Sequence, residues 1–195
     1  KNNLKIVSEK KNARMLLPNM LTLIGVCIGL TSIRFALDGK FEFAIIAIIF
    51  AALIDGLDGR IARLIKGTSK VGKELDSLTD MISFGVAPAF IMYFWKLNTL
   101  GRFGWLICLV YVICVALRLA RFNINSNQEP SWRDNFFEGV PSPAGGILVL
   151  TPLIISLSGF DYIQLNYEII TPIFFIVTSF LLISKFPSYS FKKIV

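Results

Sequence analysis

The stretch of sequence that decides the fold reads Asp55-Gly56-Leu57-Asp58-Gly59-Arg60-Ile61-Ala62-Arg63 and continues, after eight residues, with Gly72, Asp76 and Asp80. It lies between long apolar segments of a chain that is 54% hydrophobic and only 17% charged. An ionisable side chain at membrane depth costs about 2.5–3.5 kcal/mol on insertion scales, and four neighbouring carboxylates also repel one another. The stretch therefore predicts a compensating partner, for which bound divalent cations are the simplest candidate.

The flanking sequence predicts an integral membrane protein. A soluble domain is about 25% charged, and a transmembrane helix needs about 20 mostly apolar residues. Six apolar segments without strand-like alternation run over residues 16–37, 41–64, 75–95, 103–124, 140–159 and 166–186. We predict an all-α, polytopic membrane protein with six transmembrane helices, divided into a basic N-terminal segment (residues 1–15) and a catalytic bundle (residues 16–195). Since the first apolar segment has no small-residue cleavage pattern, we expect it to be an uncleaved span.

Positive charge predicts the orientation of this bundle. With six spans, 16 of the 20 Lys and Arg residues fall on one side of the membrane, and only Arg34, Lys40, Lys96 and Arg102 fall on the other. The positive-inside rule then places both termini and the aspartates at the cytoplasmic face of the cell membrane. The net charge of +7 is explained by topology and by anionic lipid headgroups, so we expect no nucleic-acid partner.

The spacing of the four aspartates predicts a shared site. On a helix, Asp55 and Asp58 lie side by side at i and i+3, and Asp76 and Asp80 share a face at i and i+4. Two antiparallel helices joined by a short turn would direct all four carboxylates into one space. Hard cations such as Mg²⁺ and Mn²⁺ prefer oxygen ligands, and two of them can share four carboxylates around a phosphoryl group. The chain has no histidine, so any general base must come from another residue type, and the aspartates are the leading candidates.

Other interpretations apply to the single residues. Small residues in membrane helices commonly permit close packing, Arg63 alone reads as an interface residue whose charge reaches the headgroups, and ion pairs could satisfy one or two of the acids. A cation transport path is a further alternative. Transporters, however, distribute polar groups through the bilayer and often show inverted repeats, whereas these acids gather at one edge and no repeat is visible.

The whole string D-x2-D-G-x2-A-R-x8-G-x3-D-x3-D, from Asp55 to Asp80, resembles the signature of the CDP-alcohol phosphatidyltransferases at every fixed position. The resemblance implies a six-helix bundle that forms homodimers. It also implies that Asp55, Asp58, Asp76 and Asp80 bind two divalent cations, Mg or Mn, and that Asp80 is the general base. Gly59, Arg63 and Ser69 correspond to positions that contact the CDP moiety in family members.

Four shorter strings are similar to the integral-membrane phosphatidylserine synthases, at residues 17–22, 118–123, 139–144 and 189–192. This similarity implies transfer of a phosphatidyl group from CDP-diacylglycerol to L-serine, with release of CMP. The nearest alternatives are other acceptors, glycerol 3-phosphate or inositol phosphate, which would need an additional cationic pocket. Intramembrane prenyltransferases also use Asp-rich metal sites, but their motifs are spaced differently and lie in two separate places.

The residues in these strings also allow physical interpretations. Pro18 suits a helix start, so Asn19 and Thr22 would lie in the first turn, either facing a nucleotide or capping the helix. Arg118 and Arg121, at i and i+3, either bind an acceptor carboxylate or lipid phosphate by forked hydrogen bonds or anchor the helix end at the membrane surface. We expect Pro141 and Pro143 to shape the start of the fifth span, where Ser142 is a weaker candidate for substrate contact.

Overall fold

The computed structural model describes residues 2–64, 70–125, 136–159, 166–184 and 187–189. The α-helices in these ranges are α1 (Asn2–Leu37), α2 (Phe41–Leu64), α3 (Lys70–Asp80), α4 (Ala87–Trp95), α5 (Arg102–Asn125), α6 (Ser142–Leu157) and α7 (Tyr167–Ile183). A π-helical stretch, Met81–Val86, joins α3 to α4, and a 3₁₀ turn, Leu97–Leu100, follows α4. Two short strands, β1 (Phe136–Glu138) and β2 (Pro187–Tyr189), pair antiparallel. The prediction of a helical bundle is confirmed.

Among the described residues, three stretches of helix are long and apolar enough to cross a membrane: Asn19–Leu37, Val71–Trp95 and Arg102–Ile124. The other predicted spans are helical too. However, α2 carries the first half of the aspartate stretch, which adds charged residues to that helix, and α6 and α7 have only 16 and 17 residues. Large apolar side chains are exposed at helical spacing on the outer faces of α2, α5 and α7. They are Phe43, Ile46, Phe50, Leu53 and Leu57, then Leu106, Leu109, Ile113 and Leu117, then Ile169, Ile173, Ile176 and Phe180. Such faces suit contact with lipid tails, as expected of a membrane protein.

Aromatic rings gather at the end of the bundle where α4 finishes. Tyr93 meets Trp105 with ring centroids 5.4 Å apart, and Trp95 meets Tyr167 at 5.5 Å. Trp and Tyr are enriched where a membrane protein passes from hydrocarbon to headgroups. At the same end, Lys96 forms a 3.4 Å ion pair with Glu168, which links the turn after α4 to the start of α7.

Helix α1 packs against α2, α3, the π-helical stretch and α4, so it contacts both helices that carry the aspartates. Its approach to the π-helical stretch is close because Gly29 has no side chain. A Cβ atom at Gly29 would lie 2.5 Å from Ser83 Oγ and 3.0 Å from Ser83 Cα. In addition, the Ser83 hydroxyl donates to the carbonyl oxygen of Gly25 at 3.3 Å. The missing side chain of Gly29 therefore allows the backbone of α1 to pack closely against the π-helical stretch that follows Asp80.

The π-helical stretch has an identifiable cause in Pro88. In an α-helix the carbonyl of Phe84 would accept from the backbone N–H four residues later, but Pro88 has no N–H, and its ring crowds that carbonyl. The freed carbonyl oxygen instead accepts a hydrogen bond from the Tyr111 hydroxyl of α5 at 2.7 Å. Tyr111 is fully buried and packs edge-on against Phe175. A side chain of α5 thus satisfies the backbone immediately beyond Asp80.

The interpretation of Pro18 as a helix start is wrong, because α1 begins at Asn2 and continues through it. Neighbouring groups can offset the missing backbone hydrogen bond of a proline within a membrane helix. Asn19 and Thr22 accordingly lie within a long helix rather than in its first turn. The other proline prediction agrees with the structure, since Pro141 is the N-cap residue of α6 and Pro143 lies in its first turn.

Candidate active site

Three of the predicted carboxylates converge where α2 faces α3. Asp55 and Asp58 lie one turn apart on α2, and Asp76 lies on α3. One carboxylate oxygen of each lies within 4.8 Å of the others. Both helices pack against α1, so the fold brings together groups that repel one another. Asp58 is buried, whereas Asp55 and Asp76 are partly exposed, so the group is open on one side.

Asp80 is the last residue of α3 and lies against the same group, close enough to Asp55 and Asp76 to repel both electrostatically. Its Oδ2 atom accepts a hydrogen bond from the Ser142 hydroxyl at 3.0 Å. Its Oδ1 atom is buried and, within the described residues, has no hydrogen-bond partner. A buried carboxylate oxygen without a donor is costly, so this atom needs a ligand to complete its surroundings.

Thr22 contributes to the site from α1. Its hydroxyl, which is buried, donates to Asp58 Oδ2 at 2.9 Å. The hydrogen bond orients the most buried of the three clustered carboxylates. The prediction for Thr22 concerned a nucleotide, whereas the contact described here is with a carboxylate of the site. Asn19 lies one turn earlier on the same helix and is half-buried.

The two predicted arginines lead to different places. Arg118 on α5 donates from Nη1 to the Ser142 hydroxyl oxygen at 2.5 Å, and Ser142 in turn donates to Asp80. Arg121 donates from Nη1 to the carbonyl oxygen of Ile183 at 2.9 Å, near the C-terminal end of α7. Arg118 therefore belongs to the hydrogen-bond network of the aspartates, and Arg121 satisfies a helix terminus.

Open space adjoins the aspartates on α2. A Cβ atom added to Gly56 or Gly59 would meet no heavy atom within 4 Å. A flexible residue that fills no packing role costs helix stability, which favours a role in admitting a ligand to the backbone beside Asp55 and Asp58. The Arg63 side chain and the whole of Ser69, both predicted to contact CDP, lie outside what the structure describes.

The site suits a hard divalent cation. It offers clustered carboxylate oxygens within 4.8 Å and, among the described residues, no sulfur ligand, together with a buried Asp80 oxygen that has no partner in the same residues. The sequence has no histidine. Mg²⁺ and Mn²⁺ prefer such oxygen ligands and keep positions for water or substrate phosphate. A cation would also offset the mutual repulsion of the acids.

The sequence named Ser142 only as a candidate for substrate contact, and it did not reveal the contacts that Ser142 and Tyr111 make here. The Ser142 hydroxyl bridges Asp80 and Arg118, although 62 and 24 residues separate it from them. The hydroxyl of Tyr111 supports the turn after Asp80. The sequence signals were the string at residues 139–144, which contains Ser142 between two prolines, and a proline four residues after Phe84, and neither signal identifies the partner.

The fold and the site define a helical membrane protein with an acidic centre between its helices, where a divalent cation could bind. A family model for CDP-alcohol phosphatidyltransferases matches residues 15–184, which include the seven helices from the apolar half of α1 onward. The chain belongs to the CDP-alcohol phosphatidyltransferase family.

Three curated relatives carry the same name. A Mycobacterium leprae protein called CDP-diacylglycerol–serine O-phosphatidyltransferase is 46% identical over 144 residues, which cover 73% of this chain and 48% of the relative. A Helicobacter pylori protein of the same name is 37% identical over 183 residues, covering 94% and 76%. One from Bacillus subtilis is 33% identical over 177 residues, covering 91% and 92%. The chain thus spans about half the length of the mycobacterial relative and most of the other two.

Proposed function

We propose that this chain transfers a phosphatidyl group from CDP-diacylglycerol to the hydroxyl of L-serine and releases CMP. The observation that carries the proposal is the convergence of Asp55, Asp58 and Asp76 within 4.8 Å, with Asp80 beside them, at the spacing of the family signature. The printed names of the relatives support serine as the acceptor.

The reaction exchanges one phosphorus–oxygen bond for another. The serine hydroxyl oxygen bonds to the phosphatidyl phosphorus, the bond from that phosphorus to the bridging oxygen breaks, and the bridging oxygen leaves with CMP. The hydroxyl proton passes to the Asp80 carboxylate as general base. Asp80 Oδ1 suits this role because it lies in the site and its other oxygen is already occupied by Ser142. Correct placement of such a base contributes about 10²–10⁴-fold to a rate.

The other residues bind and orient the substrates. Asp55, Asp58, Asp76 and Asp80 would hold two divalent cations, Mg or Mn, and these would supply charge neutralisation for the diphosphate. Gly59, Arg63 and Ser69 would bind the CDP moiety, and Asn19 and Thr22 would border it on α1. Arg118 and Arg121 remain candidates for the serine carboxylate or the lipid phosphate, with Arg118 favoured because it adjoins Asp80 through Ser142.

The location of the site fits a lipid substrate. The aspartates lie towards one end of the helices, so the diacylglycerol tails would stay in the bilayer while CDP and serine approach from water. We place that end at the cytoplasmic face of the cell membrane, with several crossings and both termini on that side, because most positive charge falls there. Family resemblance also leads us to expect a homodimer, which chemical cross-linking of the purified protein would test.

A direct assay tests the function. Purified protein in detergent micelles is mixed with CDP-diacylglycerol, Mg²⁺ or Mn²⁺ and one acceptor at a time, and CMP and lipid product are measured. We expect metal-dependent CMP release with L-serine and formation of phosphatidylserine. Release with glycerol 3-phosphate or inositol phosphate but not serine would refute serine as the acceptor. Absence of CMP release with every acceptor would refute the reaction.

A further inference from the structure

We propose that Ser142 is a positioning residue, through which Arg118 fixes the orientation of the Asp80 carboxylate. The proposal rests on the proposed function, because it assigns Ser142 a role in placing the general base of that reaction. It differs from the expectation that Ser142 contacts substrate. The structural basis is a continuous hydrogen-bonded relay from α5 through α6 to α3.

The direction of the relay follows from the chemistry of its members. Arginine has only hydrogen-bond donors, so the Ser142 oxygen must accept from Arg118 Nη1 across the 2.5 Å contact. The single hydroxyl hydrogen of Ser142 is then left for another partner. Asp80 Oδ2 lies 3.0 Å away, and an ionised carboxylate can only accept. Arg118 therefore orients the Ser142 hydroxyl towards Asp80.

The backbone holds Ser142 still. Ser142 is the first residue of α6, Pro141 is the N-cap with φ −59° and ψ 147°, and Pro143 follows. A proline ring fixes φ on each side of the serine. Ser142 is also only 1% exposed. A residue this enclosed suits a contact with a neighbouring side chain better than a contact with an incoming substrate.

The relay leaves the two Asp80 oxygens unequal. Oδ2 is held by Ser142, while Oδ1 is buried and, in the described part of the chain, has no donor. Rotation about the terminal torsion of aspartate is broad and roughly two-fold, so loss of this hydrogen bond would leave the orientation of the carboxylate less constrained. Small displacements of a reacting group can cost about 10²-fold in rate. Loss of Ser142 should therefore slow the reaction rather than weaken substrate binding.

The test compares Ser142→Ala with a matched control. Ser158→Ala removes a hydroxyl just beyond the other end of α6, where it is exposed and, within the described residues, donates to the carbonyl oxygen of Ile155. Steady-state rates are measured with CDP-diacylglycerol and serine, and folding is followed by thermal unfolding. We expect Ser142→Ala to lower kcat about 10- to 100-fold with little change in the KM for serine, and Ser158→Ala to match the wild type. Ser142→Thr, which keeps the hydroxyl, should recover part of the loss.

A double variant shows whether Ser142 acts through Asp80. If it does, adding Ser142→Ala to Asp80→Asn should produce no further fall in the residual rate, since groups that act as a unit are non-additive. Multiplied losses would overturn the relay, as would a raised serine KM at unchanged kcat, or a Ser142→Ala protein that no longer folds. If the wild type uses another alcohol, the assignment of serine fails, whereas the same kcat comparison with that alcohol still tests the relay.

Discussion

At the scale of single residues, the two carboxylate oxygens of Asp80 have different surroundings. One carboxylate oxygen is held by Ser142, and the other is buried without a donor among the described residues. The first contact orients the group, and the second atom is available to a cation or to a substrate hydroxyl. Asp55, Asp58 and Asp76 bring one carboxylate oxygen each within 4.8 Å of the others, so they could share a cation.

Replacing the base should separate chemistry from binding. We expect Asp80→Asn to reduce phosphatidyl transfer by at least about 10²-fold, because the amide cannot take the hydroxyl proton, while CDP binding largely survives. Rates and CDP affinity of the purified variant provide the measurement. Asp38→Asn is the control, since Asp38 is exposed in the turn after α1 and, in the described part of the chain, forms an ion pair with Arg34. Full activity of Asp80→Asn would refute the assignment of the base.

The hydrogen bond from the Tyr111 hydroxyl should contribute more to the free energy of unfolding than a hydrogen bond at the surface does. Tyr111→Phe would leave the buried Phe84 carbonyl without its donor, which typically costs about 1–3 kcal/mol. Denaturant unfolding in micelles measures the change. Tyr93→Phe, in a half-buried tyrosine of the aromatic group, provides the comparison and should cost less. Equal losses in the two variants would contradict the role given to Tyr111.

At the scale of elements, the position of the site depends on the close contact between α1 and the π-helical stretch that follows Asp80. Gly29 allows the two backbones to approach at Ser83, three residues after Asp80. The π-helical stretch from Met81 to Val86 then carries the chain from the site to α4, as Pro88 requires. Gly29 and Gly59 differ in their surroundings. A Cβ atom at Gly29 would collide with Ser83, whereas a Cβ atom at Gly59 would meet no heavy atom within 4 Å.

Alanine at these two glycines should have opposite effects on stability. Gly29→Ala would place a methyl group 3.0 Å from the backbone of Ser83, and overpacking of this kind costs about 1–3 kcal/mol. Gly59→Ala meets nothing and gains about 0.8–1.0 kcal/mol of helix propensity. Thermal unfolding of both variants measures the difference.

Activity should not follow stability at Gly59. The same methyl group would narrow the space beside Asp58, so we expect Gly59→Ala to transfer more slowly although its fold is intact. A fully active Gly59→Ala protein would contradict a role for Gly59 in admitting the nucleotide.

At the scale of the whole molecule, helix packing holds the carboxylates of the site close together. Their mutual repulsion would drive them apart if the helices were free to move. The cluster joins α2 and α3, while Asp80 is tied through Ser142 to α5 and α6. Repulsion within the cluster therefore acts against the packing of the entire bundle. A bound cation would reverse that effect by attracting all of the carboxylates.

Divalent cations should consequently stabilise the fold. We expect Mg²⁺ or Mn²⁺, added to chelator-treated protein at about 100 times its Kd, to stabilise the wild type by about 2.7 kcal/mol, seen as a raised unfolding midpoint. Asp76→Asn removes one charge of the cluster, so it should be at least as stable as the wild type in chelator and gain less from the metal. An equal gain in both proteins would contradict a metal site at Asp76.

The orientation of the bundle can be tested from both sides. Thr99→Cys lies in the exposed turn after α4, and Arg60→Cys lies on an exposed part of α2 near the aspartates. In a background with the three native cysteines replaced, an impermeant maleimide should label position 99 in intact cells and position 60 only after permeabilisation. The reverse pattern would place the site outside the cell.

The amino-acid sequence by itself determined the helical class and the candidate ligands. Helix periodicity places Asp55 beside Asp58 and Asp76 beside Asp80, because these pairs depend only on local geometry. Apolar length likewise predicted the helices. Local rules failed at Pro18, which was expected to start a helix but lies within α1, because neighbours can satisfy a backbone group that the local sequence leaves unpaired.

Only the tertiary structure decided which partner each of these residues contacts. The relay from Arg118 through Ser142 to Asp80, the Thr22 hydrogen bond to Asp58 and the Tyr111 support of Phe84 all join different helices. Arg118 and Arg121 share a helix face in the sequence pattern, yet one reaches the aspartate network and the other a terminus of α7. Such partners are set by packing between segments distant in sequence, which no local periodicity encodes.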